Sequence, residues 1–300
     1  MDDAAADDDT WVGKLEDAID SARVPETRAQ LLALLKSVSW PVIGASQAPA
    51  TKGHRIVRAQ FGLAGRRMQK PTLSRCTQKL PMLTRLLFGF LKHVMPHASA
   101  SSATVAFHRH ARLHADTMNL GPSWATALAA TSGGDLWICD GTNQGGQVLR
   151  TSERFCEFNS QYGHRTLPFT GPRFYVSFYT HRSARRASRA LRQRLLKHSV
   201  PFPSHMELKA WKLQSERLPT ARARLRTAQN AWRRHLSTHP EHRITWKRVH
   251  WVKGSWVCRH CGKFGVAARG RNKKFCSHAC RSAAWRVINE EPAPVKRRCV

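Results

Sequence analysis

Acidic residues are scarce in this chain of 300 residues, which has 19 Asp and Glu against 50 Lys and Arg. The formal net charge is therefore +31 at pH 7. The charge is also uneven, with a net count of −5 over residues 1–50, +11 over 51–180 and +25 over 181–300. A field of this sign attracts polyanions, and nucleic acid is the commonest of them, ahead of acidic membranes and acidic proteins. The sequence thus predicts a nucleic-acid partner for the C-terminal part.

Long apolar runs are also missing. No stretch approaches the roughly 18 consecutive apolar residues of a transmembrane helix. The segment 1–9 has neither the basic nor the apolar region of a secretory signal. Because the predicted partner is nucleic acid, we expect an intracellular, nuclear protein without a membrane partner. Nothing in the sequence indicates the oligomeric state.

The apolar content is sufficient for a sizeable core. Hydrophobic residues make up 41% of the chain, including 10 Trp and 12 Phe. Apolar residues at helical spacing predict short helices before residue 38 and a helix over 72–95. Short alternating runs with Gly-rich turns between residues 105 and 180 predict seven or eight strands, as in a sandwich or jelly roll. Three basic helices are predicted at 183–198, 204–218 and 220–236. The fold class is α+β.

Three residues carry the spacing of a metal site. His114 and Asp116 are two residues apart, so an extended strand would place both side chains on one face. His164, from a neighbouring strand, would complete a set of two imidazoles and one carboxylate, which is the facial triad of non-haem Fe(II) oxygenases. His108, His110 and Arg112 share the same predicted face, as further contacts or competing ligands. Arg173 lies nine residues after His164, and its planar fork suits a carboxylate.

The ordered motifs around these residues resemble a known family. They are His114-Ala-Asp-Thr-Met-Asn-Leu-Gly-Pro-Ser-Trp124, Gly133-Gly-Asp-Leu-Trp137, His164-Arg-Thr-Leu-Pro-Phe-Thr-Gly-Pro-Arg173 and Phe178-Tyr-Thr180. Together they resemble the 2-oxoglutarate/Fe(II)-dependent dioxygenases, most of all the algal and protist group related to the TET and JBP nucleic-acid base oxygenases.

The resemblance implies a double-stranded β-helix, or jelly roll, with flanking helices. It also implies Fe(II) held by His114, Asp116 and His164, and a distal carboxylate of the cosubstrate 2-oxoglutarate held by Arg173. The implied activity is hydroxylation of a nucleic-acid base. One position departs from the pattern, because many of these enzymes have Ser or Thr two residues after the arginine and this chain has Tyr175.

Cysteine spacing predicts a second metal site. Cys258 and Cys261 are separated by two residues, and after fourteen residues Cys276 and Cys280 are separated by three. Four thiolates in two close pairs fill a tetrahedral Zn²⁺ site completely, so this site would be structural. His260 or His278 in place of one cysteine is the main variant. The other cysteines, predicted to be free thiols without a function, are Cys76, Cys139, Cys156 and Cys299.

These observations predict a domain order and leave three functions open. The predicted segments are an acidic lead with short helices (1–50), the dioxygenase domain (51–182), a basic helical segment (183–250), a zinc module (251–288) and a basic tail (289–300). The first function is the base dioxygenase. The second is a non-enzymatic nucleic-acid-binding zinc protein, of mobile-element origin, with a degenerate barrel. The third is a protein hydroxylase.

Overall fold

A computed structural model describes residues 23–38, 57–65, 69–107, 110–130, 132–139, 141, 146–243, 255–257 and 264–266. In this part of the chain the helices are α1 (Arg28–Ser37), α2 (Arg75–Lys79), α3 (Pro81–Val94), α4 (Arg189–Lys197), α5 (His205–Glu216) and α6 (Ala221–Thr238). Two 3₁₀ turns lie at Arg182–Arg186 and Pro240–His242. No helix among these residues is both long and apolar enough to cross a membrane.

The strands form antiparallel sheets. They are β1 (Val57–Ala64), β2 (Thr72–Leu73), β3 (Ser102–Phe107), β4 (Asn119–Leu128), β5 (Ser132–Gly133), β6 (Leu136–Cys139), β7 (Gly146–Leu149), β8 (Cys156–Phe158), β9 (His164–Thr166), β10 (Phe169–Thr170), β11 (Phe174–His181), β12 (Ser255–Val257) and β13 (Phe264–Val266). The large sheet has the order β2-β1-β3-β11-β4-β8, and a smaller one has the order β7-β6-β9. β5 pairs with β10, and β12 pairs with β13.

One face of the large sheet is covered by helices. Helix α3 begins at Pro81, where the missing N–H costs no hydrogen bond, and its apolar stripe is buried along the whole length. Phe88 of this helix meets Phe178 of β11 edge to face, with 5.6 Å between ring centroids. Helices α4 and α5 add buried leucines to the same core. The predicted helix over 72–95 is thus confirmed in its main part, although it is divided at Pro81.

Helix α6 packs on the small sheet. Its residues Ala228 and Trp232 share a core with Trp137 of β6, and the two tryptophan rings meet at 5.1 Å. The buried Arg224 donates from Nε to the carbonyl of Gln161, 2.8 Å away, just before β9. The three predicted basic helices are therefore present, and they lie against the sheets.

Strand β4 contains Gly121 and Pro122, two residues that in the sequence alone indicate a loop and not a strand. The structure places both residues inside a ten-residue strand. The pairing with β11 shifts between Trp124 and Leu120, so that three residues of β4 lie opposite one of β11. Gly121 has a φ of +64°. A bulge tolerates both the positive φ and the missing proline N–H, so the breaker residues mark a bulge here and not a loop end.

Candidate metal centre and cavity

His114 and His164 lie directly opposite each other in an isolated antiparallel bridge. The N–H of His114 donates to the carbonyl of His164 at 3.0 Å, and the N–H of His164 donates to the carbonyl of His114 at 2.8 Å. Residues paired in this way project their side chains to the same side. The two imidazole centroids are accordingly 4.3 Å apart. The backbone pairing therefore brings together two histidines that are fifty residues apart in the sequence.

Asp116 completes the cluster from a turn and not from a strand. Strand β3 ends at Phe107, and the chain at 110–113 is irregular, so the predicted continuous strand up to residue 116 is wrong. The N–H of Asp116 is instead fixed by the carbonyl of Ser160 at 2.9 Å. Its Oδ1 lies 3.7 Å from His114 Nε2, and its Oδ2 lies 3.9 Å from His164 Nε2.

The donor atoms of these three residues lie close enough together to share a metal ion. Within the described part of the chain, no other group of three or more His, Cys, Asp or Glu side chains does so. All three donor atoms are within 4.8 Å of one another. The Asp116 carboxylate is positioned further by Asn119, whose Nδ2 lies 3.3 Å from Oδ2 and 3.0 Å from Ser160 Oγ. These contacts lie behind the donor set and orient it.

Both histidines present the same ring nitrogen to the cluster. His114 Nδ1 lies 2.6 Å from the carbonyl of Arg112, and His164 Nδ1 lies 2.9 Å from the carbonyl of Tyr162. A carbonyl only accepts hydrogen bonds, so each Nδ1 donates, and in the neutral ring each Nε2 then carries the lone pair. Neutral imidazoles with free Nε2 atoms beside a carboxylate are a metal-binding donor set.

Burial keeps His164 in this neutral form. The residue is only 5% exposed. Its pKa falls to about 4, because burial disfavours the charged ring and the neighbouring His114 adds repulsion that outweighs the attraction of Asp116. His164 is therefore uncharged at neutral pH, and its lone pair does not have to be freed from a proton before it binds a cation.

Arg173 is buried between two aromatic rings. Its side chain is 1% exposed, and its guanidinium carbon lies 5.1 Å from the ring centroid of Phe169 and 4.8 Å from that of Tyr175. One Nη donates to the carbonyl of Gly134 at 2.6 Å. Burial lowers the Arg173 pKa to about 10, so the group stays charged at pH 7. Among the described residues no carboxylate pairs with Arg173, and its buried Nε has no hydrogen-bond partner.

A cavity of about 460 Å³ connects Arg173 with the metal-binding cluster. Its wall includes Arg173, directly before β11, and every second residue of that strand, at positions 175, 177, 179 and 181, whereas Val176 and Phe178 point into the core. Such alternation follows from the two-residue period of a strand. The polar wall away from the cluster is formed by Arg58, Gln60, Thr104, Ser177, Tyr179 and His181.

Several of these residues were not identified from the sequence. Tyr179 lines the cavity with its hydroxyl 3.3 Å from Thr104 Oγ1, and burial raises its pKa. Burial also raises the pKa of Tyr175. The alternating sequence Phe-Tyr-Val-Ser-Phe-Tyr of β11 indicates a polar face, because the residues at 174, 176 and 178 are apolar and those at 175, 177 and 179 have hydroxyl groups.

His110 and Arg112, the other described residues that were predicted beside the site, do not line the cavity. His110 stacks on Phe169 at 4.0 Å between centroids, and Arg112 contributes its carbonyl to His114. Trp124 and Trp137 are buried in the core. Cys76, Cys139 and Cys156 are buried, and none of them forms a disulfide within the described part of the chain.

Other predicted residues lie outside the described part of the chain. They are His108, Cys299 and the four residues of the zinc site, Cys258, Cys261, Cys276 and Cys280. The predicted zinc module and the domain boundaries remain predictions.

No protein-family model and no curated protein sequence matches the chain. Solved structures that are similar to part of it include the following two. One is NgTET1 in complex with 5mC DNA, with 12% identity over 53% of this chain and 69% of that chain and a TM-score of 0.32. The other is an oxidoreductase of the 2OG-Fe(II) oxygenase family from Burkholderia pseudomallei, with 14% identity over 53% of this chain and 92% of that chain and a TM-score of 0.33.

Proposed function

We propose that this protein is an Fe(II)/2-oxoglutarate-dependent dioxygenase that hydroxylates a nucleic-acid base. The observation that carries the proposal is the arrangement of His114, Asp116 and His164 in one cavity with the buried Arg173. Two imidazoles and one carboxylate are the ligand set of non-haem Fe(II) oxygenases. The order of these residues along the chain also agrees with the motifs that resemble this family.

The donor set fits Fe(II). His114 and His164 would bind through Nε2, because both Nδ1 atoms are engaged by backbone carbonyls. Asp116 would bind through a carboxylate oxygen. When bound, the iron and 2-oxoglutarate supply oxidation by O₂, in which one oxygen atom enters the substrate and the other enters succinate, with release of CO₂. The protein's part is to hold the three donors and the cosubstrate in place.

Arg173 fits the distal carboxylate of 2-oxoglutarate. Its guanidinium is charged, buried and held by two aromatic rings. Its buried Nε has no hydrogen-bond partner within the described chain, and the residue lines the same cavity. A buried donor that is left unpaired costs free energy, which a carboxylate oxygen would recover. Tyr175, next to the guanidinium, stands where the related motifs have Ser or Thr and would contact the cosubstrate with its ring and hydroxyl.

The strand order supports a jelly roll. The chain passes several times between the two sheets: β3 and β4 lie in the large sheet, with the His114 bridge to β9 of the small sheet between them, β6 and β7 lie in the small sheet, and β8, β9 and β11 then lie in the large, the small and again the large sheet. This alternation is the connectivity expected of a double-stranded β-helix. The nucleic-acid substrate rests on the net charge of +31. A base would have to leave the stack to reach the cavity.

The test is product analysis. The full chain is incubated with Fe(II), 2-oxoglutarate and single- or double-stranded DNA or RNA, and the digested nucleosides are analysed by mass spectrometry. Nucleosides heavier by one oxygen atom are expected with the wild type and not with Asp116→Asn. Formation of succinate without an oxidised nucleoside would support the dioxygenase activity but exclude the nucleic-acid substrate. Absence of both would exclude the enzyme.

Gly134 holds Arg173 in place and provides a further test. It has a φ of +87°, and a Cβ there would lie 2.7 Å from Arg173 Nε. Gly134→Ala should therefore displace the guanidinium and raise the KM for 2-oxoglutarate on the order of 10- to 100-fold. Gly133→Ala is the control, since Gly133 also has a positive φ but its Cβ would meet the carbonyl of Pro168. An equal rise in KM for both variants would show general strain and not displacement of Arg173.

The cysteine pairs predict zinc in addition to iron. Elemental analysis should find about one Zn²⁺ per chain, released by a thiol-reactive reagent. The double variant Cys276→Ser/Cys280→Ser should lose this zinc, whereas Cys76→Ser should retain it. An unchanged zinc content in the double variant would show that the four cysteines do not form the zinc site.

A further inference from the structure

The outer face of helix α6 carries a stripe of arginines. Arg222, Arg226 and Arg233 are exposed and follow each other at intervals of four and seven residues, which is the spacing of one helix face. A surface groove runs along this face. Within the described residues it is lined by Arg222, Leu225, Arg226, Gln229, Asn230 and Arg233. We call this set the arginine face.

The arginine face has no anionic partner within the described chain. No Asp or Glu occurs between residues 217 and 240, and none of the ion pairs between described residues involves these three arginines. Arg233 donates only to the neutral Asn230, at 3.2 Å. Exposed arginines on a soluble helix are commonly interspersed with acids at the next turn. Here their charge is left for an external anion.

The opposite face of α6 fixes the helix rigidly to the candidate site. Arg224 donates a hydrogen bond to the carbonyl of Gln161. Ala228 packs so closely against Gly163 that a Cβ added to this glycine would lie 2.2 Å from the Cβ of Ala228. The guanidinium of Arg165 lies over the ring of Trp232, 4.1 Å from the ring centroid. Gly163 and Arg165 flank His164. An anion bound to the arginine face would therefore be held at a fixed position relative to the metal-binding cluster.

We propose that the arginine face binds the phosphate backbone of a DNA duplex. The first and last of the three arginines are eleven residue steps apart, or about 16 Å along the helix axis, so they form a straight and rigid row of charges. A duplex is stiff over this length. Single-strand sites combine cations with aromatic stacking platforms, and this face has none, because Trp232 is buried on the other side. Gln229 and Asn230 suit base edges in the wide major groove of B-form DNA, which A-form RNA does not offer.

The proposal specifies a partner for the proposed function, but it is tested without catalysis. Binding of a fluorescent DNA duplex to the full chain is measured by anisotropy over a series of salt concentrations, without Fe(II) or 2-oxoglutarate. The variant is Arg222→Gln/Arg226→Gln/Arg233→Gln, in which glutamine keeps the helix propensity. The matched control is Lys36→Gln/Lys70→Gln/Arg75→Gln, which removes the same charge from other exposed positions.

The logarithm of the binding constant falls linearly with the logarithm of the salt concentration, and each lost phosphate contact makes this slope less steep by about 0.9 on duplex DNA. The triple variant should therefore lose about 2.7 from the slope and bind on the order of 100-fold more weakly at about 0.1 M salt. The control should retain the wild-type slope. Equal losses of affinity and salt slope in the variant and the control would show that the effect depends only on net charge, and would overturn the proposal. Equal or larger losses on single strands or on duplex RNA would overturn the assignment to duplex DNA.

A loss of oxygenase activity has no bearing on this measurement. Conversely, if the triple variant binds DNA no more weakly than the control while the wild type still forms oxidised nucleosides, the proposed function stands and the DNA is bound elsewhere. Circular dichroism of the triple variant checks that α6 remains helical.

Discussion

Replacing Asp116 with alanine is expected to abolish the conversion of 2-oxoglutarate to succinate while the fold stays intact. The carboxylate is the only anionic donor in the cluster, and its loss leaves two neutral imidazoles to hold a dication. A catalytic metal supplies several kcal/mol of stabilisation, and each ~1.4 kcal/mol corresponds to a factor of ten in rate. We therefore expect a loss of about a thousandfold or more, measured as succinate formed per chain.

The fold should tolerate this change. The Asp116 side chain is 43% exposed, and its hydrogen bond to Asn119 is long, at 3.3 Å. Substitutions at such positions usually change the free energy of unfolding by about 0.5 kcal/mol or less. Asp116→Asn keeps the shape and should be as inactive as the alanine variant. His110→Ala is the neighbouring control and should retain activity; the reverse result would mean that the ligands are assigned wrongly.

Replacing Arg173 with lysine should raise the KM for 2-oxoglutarate on the order of 10- to 100-fold. Lysine keeps the charge but loses the planar fork, so one of two parallel hydrogen bonds to a carboxylate is lost, and such bonds to charged groups contribute about 1.5–3 kcal/mol. The change should appear in KM more than in kcat, because the carboxylate lies away from the reacting atoms. Steady-state kinetics at several cosubstrate concentrations measure it.

Arg165→Lys is the matched control for this experiment. Arg165 is also buried, at 5% exposure, and also contacts an aromatic ring, but it is not among the residues that line the cavity. Its substitution should lower stability without raising the KM for 2-oxoglutarate. An unchanged KM in Arg173→Lys, or an equal rise in Arg165→Lys, would require the cosubstrate carboxylate to bind elsewhere.

The order and spacing of the motifs were sufficient to predict which side chains meet. His114 and His164 could be paired from the sequence because the ligand set needs two imidazoles and one carboxylate, and because the ordered motifs around them resemble those of a known family. Their backbone pairing could not be predicted, since it depends on a bridge between distant segments. The strand assumed for His114 to Asp116 is absent because Asp116 is held by Ser160 in a turn.

Local breaker residues account for the errors in the strands. Gly121 and Pro122 have turn propensity, and no local rule distinguishes a loop from a bulge that is paired with β11. The cavity wall was missed for a related reason. Whether Ser177 and Tyr179 face a core or a cavity depends on which side of the large sheet α3 covers, and this is decided by tertiary packing.

The iron site is tested directly by an anaerobic titration of Fe(II), followed by 2-oxoglutarate, into the purified chain. With zinc counted separately, we expect one Fe(II) per chain in the wild type and cosubstrate binding that requires the metal. His164→Ala, at the most buried of the three donors, should lose the Fe(II) and with it the metal-dependent binding of 2-oxoglutarate. Retention of both by His164→Ala, or binding of 2-oxoglutarate that is independent of metal in the wild type, would contradict the assignment of His114, Asp116 and His164 as the iron site.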